Sequence, residues 1–335
     1  MRITQTHRIA SLIQPARSAL ATLTLAALGT LGAAPAAQAQ DQYPSRTITI
    51  VCGYGPGSGI DTIAREIAGR IAETMKSSVI VDNKAGANGG LANDFVAGAK
   101  PDGYTILILS NSGIINELTA PTRSKVGRDF DPIAFAGTLP YAFGVPSDFP
   151  AKTMAEFVAY AKARPNQVNW ASLPGGLPQY MGEIFNSTAG ISLVPVPYKT
   201  TTDSLTDVIS GRVPLWVTTA VSAINTAKGG KVRLLGITSE KRIAAAPDVP
   251  TMREQGFDAL TVDVVFMFVA PKGTPAPIIA QLNREISAAV ANPKTLERFA
   301  AQGVEPKSGT PADVGKAIQV EQVRWEKVVA ASKRG

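Results

Sequence analysis

Histidine and cysteine are nearly absent from this sequence. Its 335 residues include one histidine, His7, and one cysteine, Cys52. A single cysteine cannot form an intrachain disulfide or a thiolate cage for a metal ion, so the fold must be stable through its core. A single histidine allows at most one nucleophile–histidine pair, and His7 lies in a segment that is predicted to be removed.

The first 39 residues have the three features of a cleavable secretory signal peptide. They begin with three arginines and no acidic residue, continue with a small apolar stretch over residues 18–34, and end in the small-residue site Ala37-Gln38-Ala39. A membrane anchor is the alternative, and it is disfavoured because the apolar stretch is short and interrupted by threonine and glycine. We therefore predict a signal peptide over residues 1–39, a periplasmic location, and a mature chain, residues 40–335, without histidine.

The predicted mature chain lacks the usual residues of metal and nucleophilic chemistry. Ser–His and Cys–His catalysis and histidine-ligated zinc, copper or iron are excluded. Without the three arginines of residues 1–39 the formal charge falls from +7 to +4, and it is spread along the chain without a basic run, which argues against nucleic acid as a partner. Catalysis by carboxylates alone stays open on composition. We expect neither a metal nor an organic cofactor.

Strand and helix patterns alternate along the mature chain in two blocks. In the first block, the apolar strand Thr47–Cys52 is followed by isoleucines at helical spacing over residues 60–71. The second block resumes after Pro150 with the same alternation. This order predicts an α/β fold with parallel strand pairs and right-handed crossovers.

Two extended apolar segments, near residues 133–145 and 262–270, separate the blocks. We interpret them as crossover segments between two lobes, with the C-terminal helices returning to the first lobe. The prediction is a first lobe of residues 40–142 plus 263–335 and a second lobe of residues 143–262.

The segments at the carboxyl ends of the predicted strands are rich in glycine, serine, threonine and asparagine. They are Gly53–Gly59, Asn83–Gly90, Ser110–Gly113, Ser172–Gly176, Lys199–Thr202 and Thr218–Thr219. Ligands of open parallel sheets bind at these ends, and helix starts with free N–H groups attract anions. Such segments on two lobes would hold a carboxylate from both sides, and none of them contains a nucleophile with its base.

Enzymatic interpretations of these loops lack their motifs. The stretch GYGPGSG over residues 53–59 has neither the spacing nor the Lys-Ser/Thr end of a Walker loop, and it lacks the third glycine of G-x-G-x-x-G. A glycoside hydrolase would need two carboxyl groups about 5–9 Å apart over a cleft. Near these loops Asp61 is the only carboxylate that we take as a candidate, so the required pair is not present in the sequence pattern. Trp170 either lines a pocket or fills the core.

Seven short motifs occur in the order and spacing of one known family. They are Tyr43-Pro44-Ser45-Arg46, Pro56-Gly57 with Asp61, Pro101-Asp102-Gly103-Tyr104-Thr105, Asn169-Trp170-Ala171-Ser172, Val196-Pro197-Tyr198-Lys199, Asp248-Val249-Pro250-Thr251 and Ala270-Pro271-Lys272-Gly273-Thr274-Pro275. On these motifs the sequence resembles the Bug-type extracytoplasmic solute receptors, which are the substrate-binding proteins of tripartite tricarboxylate transporters. The resemblance extends over residues 43–332.

The resemblance implies a two-lobed periplasmic binding protein of type II-like architecture with two crossover segments. It implies binding without catalysis: a small organic carboxylate is held between the lobes and delivered to the integral membrane subunits of a transporter. It also implies a monomer. A ligand-sensing receptor that presents its closed form to a membrane signalling protein is the alternative, because its fold and site would be the same. An exported hydrolase that uses carboxylates alone is a second alternative.

Matching the family motifs to this sequence gives a set of expected ligand contacts in each lobe. In the first lobe they are Tyr54, Gly57, Ser58, Gly59, Ser110, Asn111, Ser112 and Gly113. In the second lobe they are Ser172, Gly175, Gly176, Gln179, Tyr198, Lys199, Thr200, Thr218 and Thr219.

The sequence departs from the family at positions that bear on the ligand. Gln179 stands where a histidine is frequent, and Thr218-Thr219 stand where an acidic residue is frequent. The loss of that acid argues against a ligand with an ammonium group, such as an amino acid. Trp170 replaces a common tyrosine and would enlarge an apolar wall. We therefore expect a mono- or dicarboxylate, aromatic acids included.

Overall fold

The computed structural model describes residues 43–199 and 203–332. The predicted signal peptide and the predicted contact Thr200 lie outside the described residues. None of the helices within these two ranges combines the length and the apolar character of a membrane span.

The first part of the chain alternates strand and helix, as predicted. Its elements are β1 (Ile48–Cys52), α1 (Gly59–Met75), β2 (Val79–Asn83), α2 (Gly90–Ala97), β3 (Thr105–Ser110), α3 (Asn111–Thr119), the short α4 (Val126–Asp129) and the long β4 (Phe130–Pro146). A 3-10 turn, Ala87–Gly89, precedes α2.

The second part repeats the alternation. Its elements are α5 (Met154–Lys162), β5 (Asn169–Ser172), α6 (Leu177–Ala189), β6 (Val194–Pro197), α7 (Leu205–Ile209), β7 (Leu215–Thr219), α8 (Ala220–Lys228) and β8 (Val232–Ile237). Two 3-10 turns, Arg253–Gln255 and Asp258–Leu260, lead to the last part of the chain. That part comprises β9 (Asp263–Pro271), α9 (Ala276–Val290), α10 (Pro293–Gln302), β10 (Glu305–Pro306) and α11 (Pro311–Ser332).

The strands of the described residues follow the order β2-β1-β3-β9-β4-β7-β5-β6, with β10 and β8 also paired to β4. β1 pairs in parallel with β2 and β3, and β5 pairs in parallel with β6 and β7. The predicted α/β fold with parallel strand pairs is confirmed. β9 and β4 pair antiparallel and lie between the two parallel groups.

The long strand β4 exchanges partners along its length. Residues 130–140 of β4 pair with β9, and from Tyr141 onward it pairs with β7 and β8. The two predicted crossover segments therefore correspond to β4, which passes from the first parallel group to the second, and to β9, along which the chain runs once it has returned to the first. The lobe boundaries at residues 142 and 262 stay predictions, and this exchange of partners is consistent with them.

Each parallel group has its own buried core. The isoleucine stripe of α1 packs inward, as its spacing predicts, with Ile60, Ile63, Ile67 and Ile71 buried. Strand residues such as Leu107 pack with α11 in a first cluster, and Trp216 packs with α8 and β8 in a second. Each fully buried aliphatic side chain contributes about 1.5–3 kcal/mol of hydrophobic free energy to the folded state, which no disulfide supplements.

Two helices begin where the sequence pattern predicts only loops. Ser110 ends β3 and the chain enters α3 at Asn111 without a turn, while Thr219 ends β7 and α8 starts at Ala220. Serine, asparagine and glycine at a helix start are also the composition of a loop, so the pattern does not distinguish the two. By contrast, the helix that follows β6 is short, since α7 covers Leu205–Ile209.

Candidate functional site

The glycine-rich loop after β1 is held in shape by Asp61 on the first turn of α1. The Asp61 carboxylate accepts hydrogen bonds from Gly57 N at 2.8 Å, Arg65 Nε at 3.0 Å and Asn83 Nδ2 at 2.7 Å. Burial by itself raises the pKa of Asp61, but these donors outweigh it and lower the pKa below its usual value. Asp61 is therefore occupied within the loop and presents no oxygen as a general base.

Ser58 begins α1 as its N-cap, a position at which serine is favoured. Its hydroxyl accepts a hydrogen bond from Asp61 N at 3.4 Å. Gly57 has φ +80°, a left-handed value that favours glycine. At Gly59 a Cβ would lie 3.1 Å from a methyl carbon of Leu139 on β4. The loop thus reaches the strand that joins the two lobes.

Half-buried Tyr54 forms a hydroxyl cluster with three buried residues: Ser110 at the end of β3, Ser112 in α3 and Tyr141 of β4. Tyr54 Oη lies 3.2 Å from Ser110 Oγ in a hydrogen bond. Burial raises the pKa of Tyr54, and hydrogen bonds to Ser110 and Ser112 lower it in part. Burial likewise raises the pKa of Tyr141, and the Ser112 hydroxyl lowers it in part. We call Tyr54, Ser110, Ser112 and Tyr141 the hydroxyl cluster; Tyr141 was not among the predicted contacts.

Asn111 and Gly113, also predicted as contacts, face the interior of the first lobe. Asn111 Nδ2 donates to Asp263 O at 3.0 Å and to Glu321 Oε2 at 3.1 Å. A Cβ on Gly113 would lie 3.1 Å from the Asn93 side chain. Both residues fasten α3 to its neighbours, so the structure brings Ser110 and Ser112 to the hydroxyl cluster and directs Asn111 and Gly113 elsewhere.

In the second lobe, Gln179 braces the loop that follows β5. Its Oε1 accepts from Gly175 N at 2.7 Å, and its Nε2 donates to Glu183 Oε1 at 2.7 Å. Gly175 has φ +70°, and Gly176 is the N-cap of α6. Both ends of the Gln179 amide are thus occupied, which makes this residue a support of the loop.

The loop after β6 is tied to the same region. Tyr198 N donates to the carbonyl of buried Ser172 at 2.9 Å, which places the two strand ends side by side. Tyr198 Oη donates to Asp207 Oδ2 at 2.7 Å. Burial and this carboxylate raise the pKa of Tyr198 to about 12, so the phenol is neutral. Lys199 is exposed beside it.

Two buried polar atoms on the neighbouring strands β5 and β7 have no hydrogen-bond partner among the described residues. They are Thr218 Oγ1, near the end of β7, and Trp170 Nε1, on the neighbouring strand β5. A buried hydroxyl without a partner usually marks the place of a water molecule or of a ligand group. Thr219, opposite Tyr141 on β4, hydrogen-bonds with Ser222 at 3.2 Å.

Trp170 fills the core of the second lobe and does not line a pocket. It is 1% exposed, and a Cβ on Gly182 of α6 would overlap its six-membered ring. The expectation of an enlarged apolar wall at this position is not met, because the indole packs directly on the backbone of α6.

Asn88, which was not among the predicted contacts, joins the two sets of loops. Its Nδ2 donates to Pro174 O at 3.0 Å, and its carbonyl accepts from Tyr54 Oη at 3.1 Å. The only sequence signal for it is its place in the glycine-rich segment after β2.

A surface groove of about 490 Å³ lies between the start of α1 and α10. Two arginines line it, and each is paired: Arg65 with Asp61, and Arg298 with Glu66. The groove therefore offers no unpaired cation to an acid. In the described part of the chain, no group of three or more His, Cys, Asp and Glu residues could hold a metal ion.

Comparison with known proteins identifies relatives over most of the chain. Residues 63–333 match the family described as tripartite tricarboxylate transporter family receptor. The protein BugT of Bordetella pertussis is 32% identical over 293 residues, which cover 86% of this chain and 90% of BugT.

Two solved structures from Rhodopseudomonas palustris have the same fold. One, a protein with adipate, is 29% identical and superimposes with a TM-score of 0.81, covering 86% of this chain and 97% of the other. The second, MatC with bound malate, is also 29% identical with a TM-score of 0.78, covering 86% of this chain and all of MatC.

Proposed function

This chain belongs to the tripartite tricarboxylate transporter family of receptors, of the Bug type, and we propose that it binds a small mono- or dicarboxylate between its lobes and delivers it to membrane transporter subunits. The family consists of substrate-binding receptors and not of enzymes. Relatives with the same fold have been solved with adipate and with malate.

The observation that carries the proposal is the position of four helix starts. α1 begins at Gly59 and α3 at Asn111 in the first lobe, while α6 begins at Leu177 and α8 at Ala220 in the second. Each follows a strand of a parallel pair, so the two starts in each lobe lie at the same edge of their sheet. A helix start carries free N–H groups and roughly half a positive charge, which favours a carboxylate.

The neutral side chains around these starts fit an acid that is released unchanged. The hydroxyl cluster and Thr219 surround these helix starts with neutral polar groups. Asp61, the acid next to the first of these loops, is bonded to Gly57, Arg65 and Asn83 and is therefore not free to hold an ammonium group. Thr218-Thr219 add no charge on the second lobe. These features support an acid without an amino group as the ligand.

We further propose that residues 1–39 are the export signal. The family and its solved relatives are periplasmic receptors, which agrees with that interpretation. N-terminal sequencing of the exported protein tests the cleavage site after Ala39, and an N-terminus retained at Met1 contradicts it.

Thermal unfolding of the mature protein with adipate and malate tests the binding proposal. An acid at 100 times its Kd raises the apparent free energy of unfolding by about 2.7 kcal/mol. Hexane-1,6-diol and hexane-1,6-diamine are the controls, because both keep the six-carbon length of adipate and neither carries a carboxylate. We expect both to leave the melting temperature unchanged. A broad panel of carboxylates that produces no shift would refute the proposal.

A further inference from the structure

The loop between β2 and α2 has an unusual backbone. Four consecutive residues, Gly86, Ala87, Asn88 and Gly89, have positive φ values of 139°, 48°, 49° and 93°. For a residue with a Cβ, the left-handed conformation costs about 1–2 kcal/mol. Such a backbone persists only where the surrounding structure holds it, and it is typical of functional loops.

This loop packs tightly against the loop that carries Tyr54. A Cβ on Gly53 would lie 2.6 Å from the Cα of Gly89, and one on Gly89 would lie 3.5 Å from the Tyr54 ring. The Tyr54 hydroxyl donates to the carbonyl of Asn88. A movement of Asn88 would therefore move the hydroxyl that anchors the hydroxyl cluster.

The side chain of Asn88 faces the second lobe. Its Nδ2 donates to Pro174 O at 3.0 Å across 86 positions of sequence. Cβ atoms placed on Gly175 and Gly176 would lie 3.4 and 3.3 Å from the Asn88 amide, so glycine at both positions lets the loop come this close. Behind the loop, Gln179 binds Gly175 N and Glu183, and Glu183 accepts from Ser332 at the end of α11 at 2.6 Å.

We propose that Asn88 is a positioning residue that latches the ligand loops of the two lobes together. Its amide stabilises the closed form, and its carbonyl orients Tyr54 in that form. The inference deepens the proposed function, because the latch would set how long a bound acid is retained. In an equilibrium between open and closed forms, a bond present only in the closed form shifts the population toward it.

Spin labels on the two lobes test the latch without reference to any ligand. Lys100 of the first lobe and Lys228 of the second would both be replaced by cysteine for labelling. Cys52 is buried, and burial raises the pKa of its thiol to about 11, so it stays unlabelled. Double electron–electron resonance then measures the distance between the two spin labels, which reports the separation of the lobes.

The variants are Asn88→Asp and Asn88→Gly. Aspartate and glycine both tolerate a positive φ, so the loop can keep its shape. The aspartate variant would place a carboxylate against the Pro174 carbonyl, and the glycine variant would remove the amide. We expect both variants to shift the distance distribution toward wider separations.

Asn166 supplies a matched control. It has φ +59° and is exposed, and its backbone N–H bonds within the second lobe, to Ser192 O at 2.8 Å. Asn166→Asp and Asn166→Gly therefore make the same chemical changes without touching the other lobe, and we expect the wild-type distribution. Distributions for the Asn88 variants that equal the wild type, with and without acid, overturn the latch.

Stopped-flow binding of adipate and malate gives a second readout. Loss of one neutral hydrogen bond corresponds to roughly a two- to tenfold weaker affinity, which we expect as a faster dissociation rate with an unchanged association rate. Unchanged dissociation from the Asn88 variants overturns the latch. If neither acid nor any other carboxylate binds the wild type, the proposed function fails, while the spin-label distances still decide whether Asn88 holds the lobes together.

Discussion

In the second lobe, the large side chain of Trp170 requires a residue without a side chain at position 182. Gly182 lies in the middle of α6, where glycine is ordinarily unfavourable, and the Trp170 ring lies directly on it. The tryptophan that replaces a smaller residue in the family resemblance thus depends on a second position 12 residues along the chain.

Gly182→Ala should lower the free energy of unfolding by about 1–3 kcal/mol, because its methyl group would overlap Trp170. Gly69→Ala is the matched control in α1, since a Cβ there meets no atom within 4 Å. The control should raise stability by about 1 kcal/mol through helix propensity. Urea denaturation compares the two, and equal effects of the same sign would show that the Trp170 contact is unimportant.

Thr218→Val tests the buried hydroxyl that has no partner among the described residues. Valine has the same shape without the polar group, so the ligand-free protein should gain about 1 kcal/mol of stability. Thr295→Val is the control, since the Thr295 hydroxyl is buried and donates to Glu66 at 3.2 Å. That variant should lose stability. If Thr218→Val also loses stability in thermal unfolding, the hydroxyl has a partner in solution.

Asp263 makes stability depend on pH near the start of β9. Burial raises the pKa of Asp263 to about 6, with Glu240 and Glu305 adding to the shift and Arg324 and Lys307 opposing it. In the unfolded chain an aspartate titrates near about 3.9. The folded protein therefore binds the proton more tightly, and its stability falls as pH rises from about 4 to 6, by at most about 3 kcal/mol.

Asp263→Asn should remove this loss. The variant should be more stable than the wild type above pH 6, with the difference vanishing near about pH 4. Asp148→Asn makes the same chemical change at an exposed position and is the control for the substitution itself. Guanidinium unfolding between about pH 4.5 and 7.5 measures the free energy of unfolding of the wild type and of each variant. Parallel stability curves for wild type and Asp263→Asn would contradict the assignment.

At the scale of elements, the site consists of helix starts and strand ends. β3 enters α3 and β7 enters α8 without an intervening loop, whereas β1 and β5 reach their helices through glycine-rich loops. All four helices direct their N-termini to the carboxyl edge of a parallel strand group. An acid held at these helix starts would need few charged side chains, which fits a proposed site of hydroxyls and backbone amides.

Ser58→Ala and Thr153→Ala separate the two roles of a helix cap. Each side chain caps its helix through the backbone N–H three residues on, so each variant should lose about 1 kcal/mol of stability. Only Ser58 lies in the proposed site, so only Ser58→Ala should weaken binding of adipate or malate. Calorimetric titration measures this. Equal affinity in both variants would place the ligand away from α1.

At the scale of the whole molecule, two lobes share the strands β4 and β9. Both strands are largely buried, but only β4 continues past Tyr141 to pair with β7 and β8, whereas β9 pairs with β3 and with residues 130–140 of β4. The connection is thus β4 together with the segment that leads into β9, and rotation of the lobes about it would change the contacts of the loops while the cores stay intact.

Cys52 reports on unfolding of the whole molecule. It is fully buried in β1, between β2 and β3, and burial raises its pKa to about 11. The native protein should therefore not react with a thiol reagent at neutral pH, and it should react fully in guanidinium. Reductant should leave the melting temperature unchanged, because the chain has one cysteine. Rapid labelling of the native protein would show that β1 opens locally.

The sequence by itself determined the features that depend on neighbours along the chain. The isoleucine spacing of α1, the Ser58 cap and the alternation of strand and helix follow from periods and side-chain chemistry within about 20 residues. The absence of histidine from residues 40–335 excluded whole classes of chemistry without any coordinates. The loops at strand ends, which carry most of the candidate site, followed from the same alternation.

Only the tertiary structure decided which polar side chains of those loops face one another. The Asn111 side chain donates to Glu321, 210 positions away in sequence, and the Asn88 side chain donates to the Pro174 carbonyl. The Gln179 side chain accepts from Gly175 in its own loop. Their residue types suit a ligand contact equally well, so composition cannot separate them. The partner of a hydrogen bond is set by the packing of α3, α6 and α11 against the shared strands, and that packing depends on contacts distant in sequence.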